Sequence, residues 1–230
     1  MTSLKTTARW TGLFYLALGI SGMAGFLLVR PMLHDPASAA NTLANLTGNP
    51  GLARLGIALE LGLVLTQALA AVWFFKLFRA AHAFSAGTVA AFGLMNAAIL
   101  MVSAAALIVA LAVAQDTSLA PGGDAAATVQ FLYALSSAAW TTGAIFFGLW
   151  LIPMGYAVVI SNWMPRWMGY ILIAGGVGYV LSSFAAVLLP QWPMVAEVLA
   201  FPATIGEFWM IGYLLTFGVR SEAGRVAAAA

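Results

Sequence analysis

Apolar residues run along this chain in long unbroken blocks. They show neither the narrow stripe of a water-facing helix nor the alternation of a half-buried strand. Six blocks reach the roughly 20 residues that cross a hydrocarbon core. They are Trp10–Val29, Leu55–Phe75, Thr88–Ala114, Asp124–Ile160, Trp167–Leu189 and Met194–Val219. Clusters of Pro, Gly and polar residues separate them. "RPMLHDP" closes the first block, and "HDPASAANTLANLTGNP" reads as a short amphipathic helix with Asp35 as N-cap, Pro36 at N1 and Gly48 as its stop. "LAPGGDAAA" is a loop in which Asp124 caps the next helix, and "SNWMPRW" and "LLPQWP" are tight turns. The pattern predicts an all-α polytopic membrane protein. Residues 1–230 form a single domain of six transmembrane helices, with the short helix in the first external loop.

Composition strengthens this. The chain is 63% hydrophobic and 7% charged, against about 25% charged in soluble domains. Such a chain cannot cover a water-facing surface, so the lipid bilayer is its first partner. No cysteine is present, which excludes disulfides and thiolate chemistry. A net charge of +2 from few charges is no nucleic-acid signature. The first block is not read as a cleaved signal peptide. Lys5 and Arg9 precede it and "ASA" imitates a cleavage site, but its run exceeds the 7–15 residues of an h-region.

Where the few cations sit sets the orientation. Lys5, Arg9, Lys76, Arg79, Arg166, Arg220 and Arg225 fall on one side, and only Arg30 and Arg54 on the other. The positive-inside rule puts both termini in the cytoplasm, in a multi-pass protein of a bacterial inner membrane. Trp10, Trp163, Trp167 and Trp192 fall at the expected interfaces, where indoles settle.

Two carboxylates interrupt the apolar blocks. Glu207 is near the middle of the sixth and Glu60 in the outer third of the second. Glu197, in the first turn of the sixth, can be held by headgroup water and the helix N-terminus. An acid at membrane depth is costly unless neutralised or paired. No Lys, Arg or His lies inside the six blocks, so the expected state is a protonated or hydrogen-bonded carboxyl, barring an end residue that reaches in. Gln67 shares the face of Glu60, and Asn96 shares that of Ser103. Glu60, Gln67, Asn96 and Glu207 fall within about 15 Å along the membrane normal. These four are the candidate ligand- or proton-binding residues of one polar cavity. Trp140, Thr141, Tyr179, Ser183 and Thr204 are its candidate lining, beside Tyr133, Ser137, Gly175 and Ser182. The competing reading is that polar side chains between helices are packing glue. It suits Gln67, Asn96 and the serines better than it suits the two acids. Pro202 frees the carbonyl of Val198 and can kink the sixth helix, though such prolines are tolerated in spans.

Other motifs lead nowhere. "GGVGY" follows no strand and opens no phosphate site, so its glycines, like the ladder Ala17, Ser21 and Gly25, serve close helix contact. His34 and His82 lie in separate loops, which leaves no membrane histidine pair for haem or zinc. No catalytic set, metal site or cofactor is implied. "ARWTGLFYLALG" and "PRWMGYILIAGG" echo one another at Arg9/Arg166, Trp10/Trp167, Gly12/Gly169, Ala17/Ala174 and Gly19/Gly176, as a parallel repeat would. Arg-Trp is also a common helix-entry anchor.

Several stretches together resemble a bacterial membrane family, domain of unknown function 4386. They are "ARWTGLFYLALGI", "LARLGIALEL", "FGLMNAAIL", "GAIFFGLWLIPMGYAVVISNWMPRWMGYILIAGGVGYVLSS" and "FPATIGEFW". The resemblance implies six spans and an acid at the positions of Glu60 and Glu207, and no activity. It also implies two departures: a His is usual where this chain has Trp150, and an Arg where it has Gly93. The favoured reading is a six-helix membrane protein whose outward-opening cavity binds or moves a small solute, a lipid or a proton. Its rivals are a non-catalytic interaction protein held by glue, a homo-oligomer among the options, and an intramembrane enzyme using the two acids.

Overall fold

The computed structural model describes residues 4–220, and among them every regular element is a helix. Six helices are long and apolar enough to cross a membrane. In chain order, the first to sixth spans are Leu4–Leu33, Pro50–Phe78, Ala83–Gln115, Ala125–Ser161, Arg166–Leu188 and Pro193–Thr216. The chain is a multi-pass membrane protein. The first three spans overrun their apolar blocks at both ends because apolarity marks hydrocarbon, whereas a helix continues into the headgroups until something stops it. Arg225, one of the expected inner cations, lies outside the described residues.

Two local expectations are corrected. "RPMLHDP" does not end the first helix at Val29. A π-helical segment, Met23–Val29, intervenes, and helix resumes over Arg30–Leu33. The Arg30 N–H reaches back to the Gly25 carbonyl in the five-residue spacing of a π turn. That extra residue turns the rest of the helix by about 100° relative to an uninterrupted α-helix. The loop helix is also shorter than expected, Ala39–Gly48, and its N-cap is Ser38, whose Oγ accepts from the Asn41 N–H. Asp35 instead holds the preceding turn. Its carboxylate accepts from the Asn41 amide and from the Ala37 N–H, which keeps its pKa below the usual carboxylate range. Asp124 does cap the fourth span, accepting from the Ala127 N–H at 2.9 Å.

The chain forms two compact units. Among the described residues, one comprises Ala17–Leu65 and Ala97–Trp140; the other comprises 4–16, Thr66–Asn96 and 141–220. In the first, Val29, Leu33, Leu46, Ala110, Leu111, Val129 and Tyr133 share one buried cluster. The loop helix is fastened to the fourth span, because Thr42 Oγ1 donates to Gln130 Oε1 at 2.9 Å and the Gln130 amide donates to the carbonyls of Asp35 and Pro36.

In the second unit, small residues set the spacing of helices. A Cβ on Gly176 would stand 2.7 Å from the Gly148 carbonyl, and one on Gly169 would stand 2.6 Å from that of Gly155. A Cβ on Gly178 would meet the Leu199 carbonyl, and one on Gly175 the backbone of Ala203. The glycines of "GGVGYV" therefore let the fifth span lie against both the fourth and the sixth, as small residues do in membranes.

Candidate functional site

The site in the first unit is built around Glu60. This side chain is 4% exposed, so it faces protein and not lipid. Its Oε1 accepts from Trp140 Nε1 at 2.9 Å and from the Ser103 hydroxyl. Ser103 Oγ lies 2.7 Å from Ser136 Oγ, and Ser136 Oγ accepts from Arg30 Nη1 at 2.8 Å. Arg30 also donates through Nη2 to the Tyr133 carbonyl at 3.1 Å and to Ser137 Oγ at 2.8 Å. Its guanidinium carbon stands over the rings of Phe26 and Tyr133, 5.3 and 5.5 Å from their centroids. The first span thus does hold a cation among its apolar residues. The exception left open by the sequence, an end residue that reaches in, is the case here, because the helix continues past Arg30 to Leu33 and the π segment re-aims its last turn.

Donor chemistry fixes the direction of this chain of bonds. A guanidinium can only donate and a carboxylate can only accept. With Arg30 at one end and a Glu60 carboxylate at the other, both hydroxyls must point the same way. Ser136 donates to Ser103, and Ser103 donates to Glu60. Every hydroxyl proton then has an acceptor. Cation and anion are joined through two serines rather than by direct contact. Such an arrangement keeps both charges compensated in a region where an isolated one is costly.

Arg30 and Glu60 line the same small cavity, walled otherwise by Phe26, Val29, Leu46, Leu107, Leu111 and neighbouring apolar residues. Its volume is about 20 Å³, room for a water-sized molecule and little more. Both hydrogen bonds to Glu60 fall on Oε1, so no bond from a described residue occupies Oε2.

The other candidate residues sit elsewhere. The cavity wall contains Glu60 but not Gln67, Asn96 or Glu207, all three of which belong to the second unit. That cavity wall therefore holds one of the four expected residues. Glu207 is half-buried, and its Oε1 accepts from the Tyr15 hydroxyl at 2.6 Å. Tyr179 is close enough to interact electrostatically with both. The Ser183 hydroxyl donates to the Tyr179 carbonyl at 3.3 Å, a bond within its own helix. Thr204 is exposed on the sixth span and Thr141 is partly buried on the fourth. Gln67 Nε2 donates to the Gly93 carbonyl at 3.4 Å, a long bond. Among the expected lining residues, Trp140 is the one that bonds to Glu60.

Sequence reasoning missed Arg30 and Ser136. For Arg30 a signal existed, because "PML" continues the apolar run after it. That makes Arg30 an interruption of a helix rather than its end. Among the described residues, no three His, Asp or Glu side chains group to hold a metal.

Residues 10–218 match the sequence profile described as "Domain of unknown function (DUF4386)". The chain belongs to that family. This DUF4386 member is also similar to an uncharacterised protein of Archaeoglobus fulgidus, 31% identical over 74 residues. That match covers 30% of this chain and 42% of the relative, so the chain spans less than half of that protein's length. No solved structure matches the chain. Gly93 and Trp150, the two positions singled out by the resemblance, pack against one another. A Cβ on Gly93 would stand 2.9 Å from Trp150 Cε3 and 2.8 Å from Ala71 Cβ. The indole occupies the space that a side chain at position 93 would need.

Proposed function

We propose that this protein, in the inner membrane of a bacterium, binds a small polar guest beside Glu60 and moves it across the bilayer, the proton being the guest best suited to the site. One observation carries this reading: Glu60 and Arg30 line a common cavity yet meet only through two serine hydroxyls. An ion pair that merely held helices together would gain most from direct contact. Here the carboxylate keeps one oxygen free of bonds from the described residues, beside a cavity of water size. A proton arriving through water can add to that oxygen without any helix moving. A larger solute or a lipid headgroup would require the apolar wall to open.

The charges at the two ends give the site a natural cycle. Protonation of Glu60 on its other oxygen leaves Oε1 a neutral carbonyl acceptor, weakens the charge-assisted bonds from Ser103 and Trp140, and leaves Arg30 without its counter-charge. The protonated state differs from the ionised one in charge and in the strength of those bonds. That difference is what a proton-linked conformational step requires, since a ligand shifts an equilibrium only by binding two states unequally.

The test is proton movement in vesicles. Protein reconstituted into liposomes loaded with a pH-sensitive dye should dissipate an imposed pH gradient faster than protein-free vesicles. Glu60→Gln should return the rate to that of protein-free vesicles. Equal rates for wild type and Glu60→Gln would refute the proton reading. Native mass spectrometry in parallel would reveal a larger guest as a mass present on wild type and missing from Glu60→Gln.

A further inference from the structure

The second unit contains buried polar atoms that no hydrogen bond among the described residues satisfies. Asn96 is fully buried, and neither its Oδ1 nor its Nδ2 has a partner. Gln67 is fully buried with Oε1 unpartnered, and Trp150 is fully buried with Nε1 unpartnered. Buried polar groups are almost always bonded in folded proteins, so three such side chains together need a reason.

They are together. Gln67 and Trp150 both lie against Gly93, one turn before Asn96 on the third span. A helix carbonyl points along its axis toward the following turn. The Gly93 carbonyl that receives the Gln67 amide therefore brings that amide to the level of Asn96. The absence of a side chain at Gly93 leaves this face of the third span to Trp150 and Gln67. The Trp150 ring in turn packs edge-on against Tyr15, with centroids 5.4 Å apart, and Tyr15 donates to Glu207.

The unsatisfied atoms specify a guest. Gln67 Oε1 and Asn96 Oδ1 want donors, whereas Asn96 Nδ2 and Trp150 Nε1 want acceptors. A cation would face two N–H groups. An anion would face two amide oxygens with no positive side chain among the three to offset them. Only a neutral molecule that both donates and accepts suits the set. We infer that Gln67, Asn96 and Trp150 form a second polar site that holds bound water, separate in its residues from the Glu60 cavity. Bound water donates to the amide oxygens and accepts from the indole and the Asn96 amide. This satisfies the otherwise orphaned atoms, which is the usual role of buried water.

In-situ radiolytic footprinting tests this, because bound water generates hydroxyl radicals beside residues that bulk solvent does not reach. Trp150 is fully buried, so labelling there reports internal water. Wild type should show oxidised Trp150. Asn96→Leu should reduce that labelling at least several-fold while leaving Trp163, which is 5% exposed, unchanged. Gln67→Leu should do the same and serves if Asn96→Leu does not fold. No Trp150 label in wild type, or equal label in either folded variant, would overturn the inference.

Discussion

Removing the Arg30 side chain cuts deeper than removing the Glu60 charge, and the two losses do not add. Arg30→Met deletes three hydrogen bonds and two cation–ring contacts. More importantly, it leaves the Glu60 carboxylate without compensation inside the protein. Breaking a buried charge pair from one side costs about 3–5 kcal/mol. Glu60→Gln is milder. The amide oxygen still accepts from Ser103 and Trp140, so two charge-assisted bonds become two neutral ones, at about 1 kcal/mol each. Arg30 keeps its serine and carbonyl acceptors in that variant. In Arg30→Met combined with Glu60→Gln, no charge is stranded, and the double variant should recover about 2–3 kcal/mol of the summed single losses, at the high end for coupled residues. The assay is reversible unfolding in mixed micelles with increasing denaturing detergent, for all four proteins at one pH. Single effects that add to within about 0.5 kcal/mol, the behaviour of independent sites, would refute the coupling.

Other consequences are open to direct test. Tyr15→Phe removes the hydrogen bond to Glu207 and should lower stability by about 1–3 kcal/mol, whereas Glu207→Gln retains an acceptor and should cost less in the same unfolding assay. Gly178→Ala would drive a methyl into the Leu199 carbonyl and should destabilise by about 1–3 kcal/mol; Gly212→Ala, where nothing stands within 4 Å, should be neutral or stabilising by up to about 1 kcal/mol. His34, beyond the end of the first span, stacks on Tyr133 with centroids 4.7 Å apart. Burial, and then the nearby Arg30, push its pKa below the usual histidine value. The folded state thus binds the proton less tightly than the unfolded state, so stability is full above a pH of about 6.5 and falls as pH drops below it. His34→Phe keeps the stacking and should flatten that acid limb of the thermal midpoint; an unchanged limb would assign it to another group. Reporter fusions after Ala230 and within "APGGD" should give cytoplasmic and external signals respectively, and the reverse pattern would overturn the orientation drawn from Lys and Arg.

The helices were legible because lipid imposes a simple rule: a long apolar run must satisfy its backbone internally, and a helix does so. Their packing was partly legible too, since "GGVGY" in an apolar run announced close contact. The Glu60 site was legible by half. An acid in a span advertises itself by its cost, but its partners come from three other helices, and one-dimensional spacing cannot bring those together. Arg30 was hidden by a backbone event. Nothing in "MAGFLLVR" spells a π turn, and on a plain α-helix ending at Val29 an arginine reads as a loop anchor. The Ser136 hydroxyl was hidden differently, as one serine in a helix with several, selected only by where Arg30 arrives. Gln67 and Asn96 were recognised as polar and buried, yet helical faces alone could not say that they belong apart from Glu60.

The most direct measurement is the decay of an imposed pH gradient across liposomes carrying wild type, Glu60→Gln or no protein. If Glu60 takes up and passes on protons, wild type collapses the gradient well ahead of the other two, which decay alike. If wild type decays no faster than Glu60→Gln, the carboxylate is not a proton-carrying group, and the bonds around it hold helices together and nothing more.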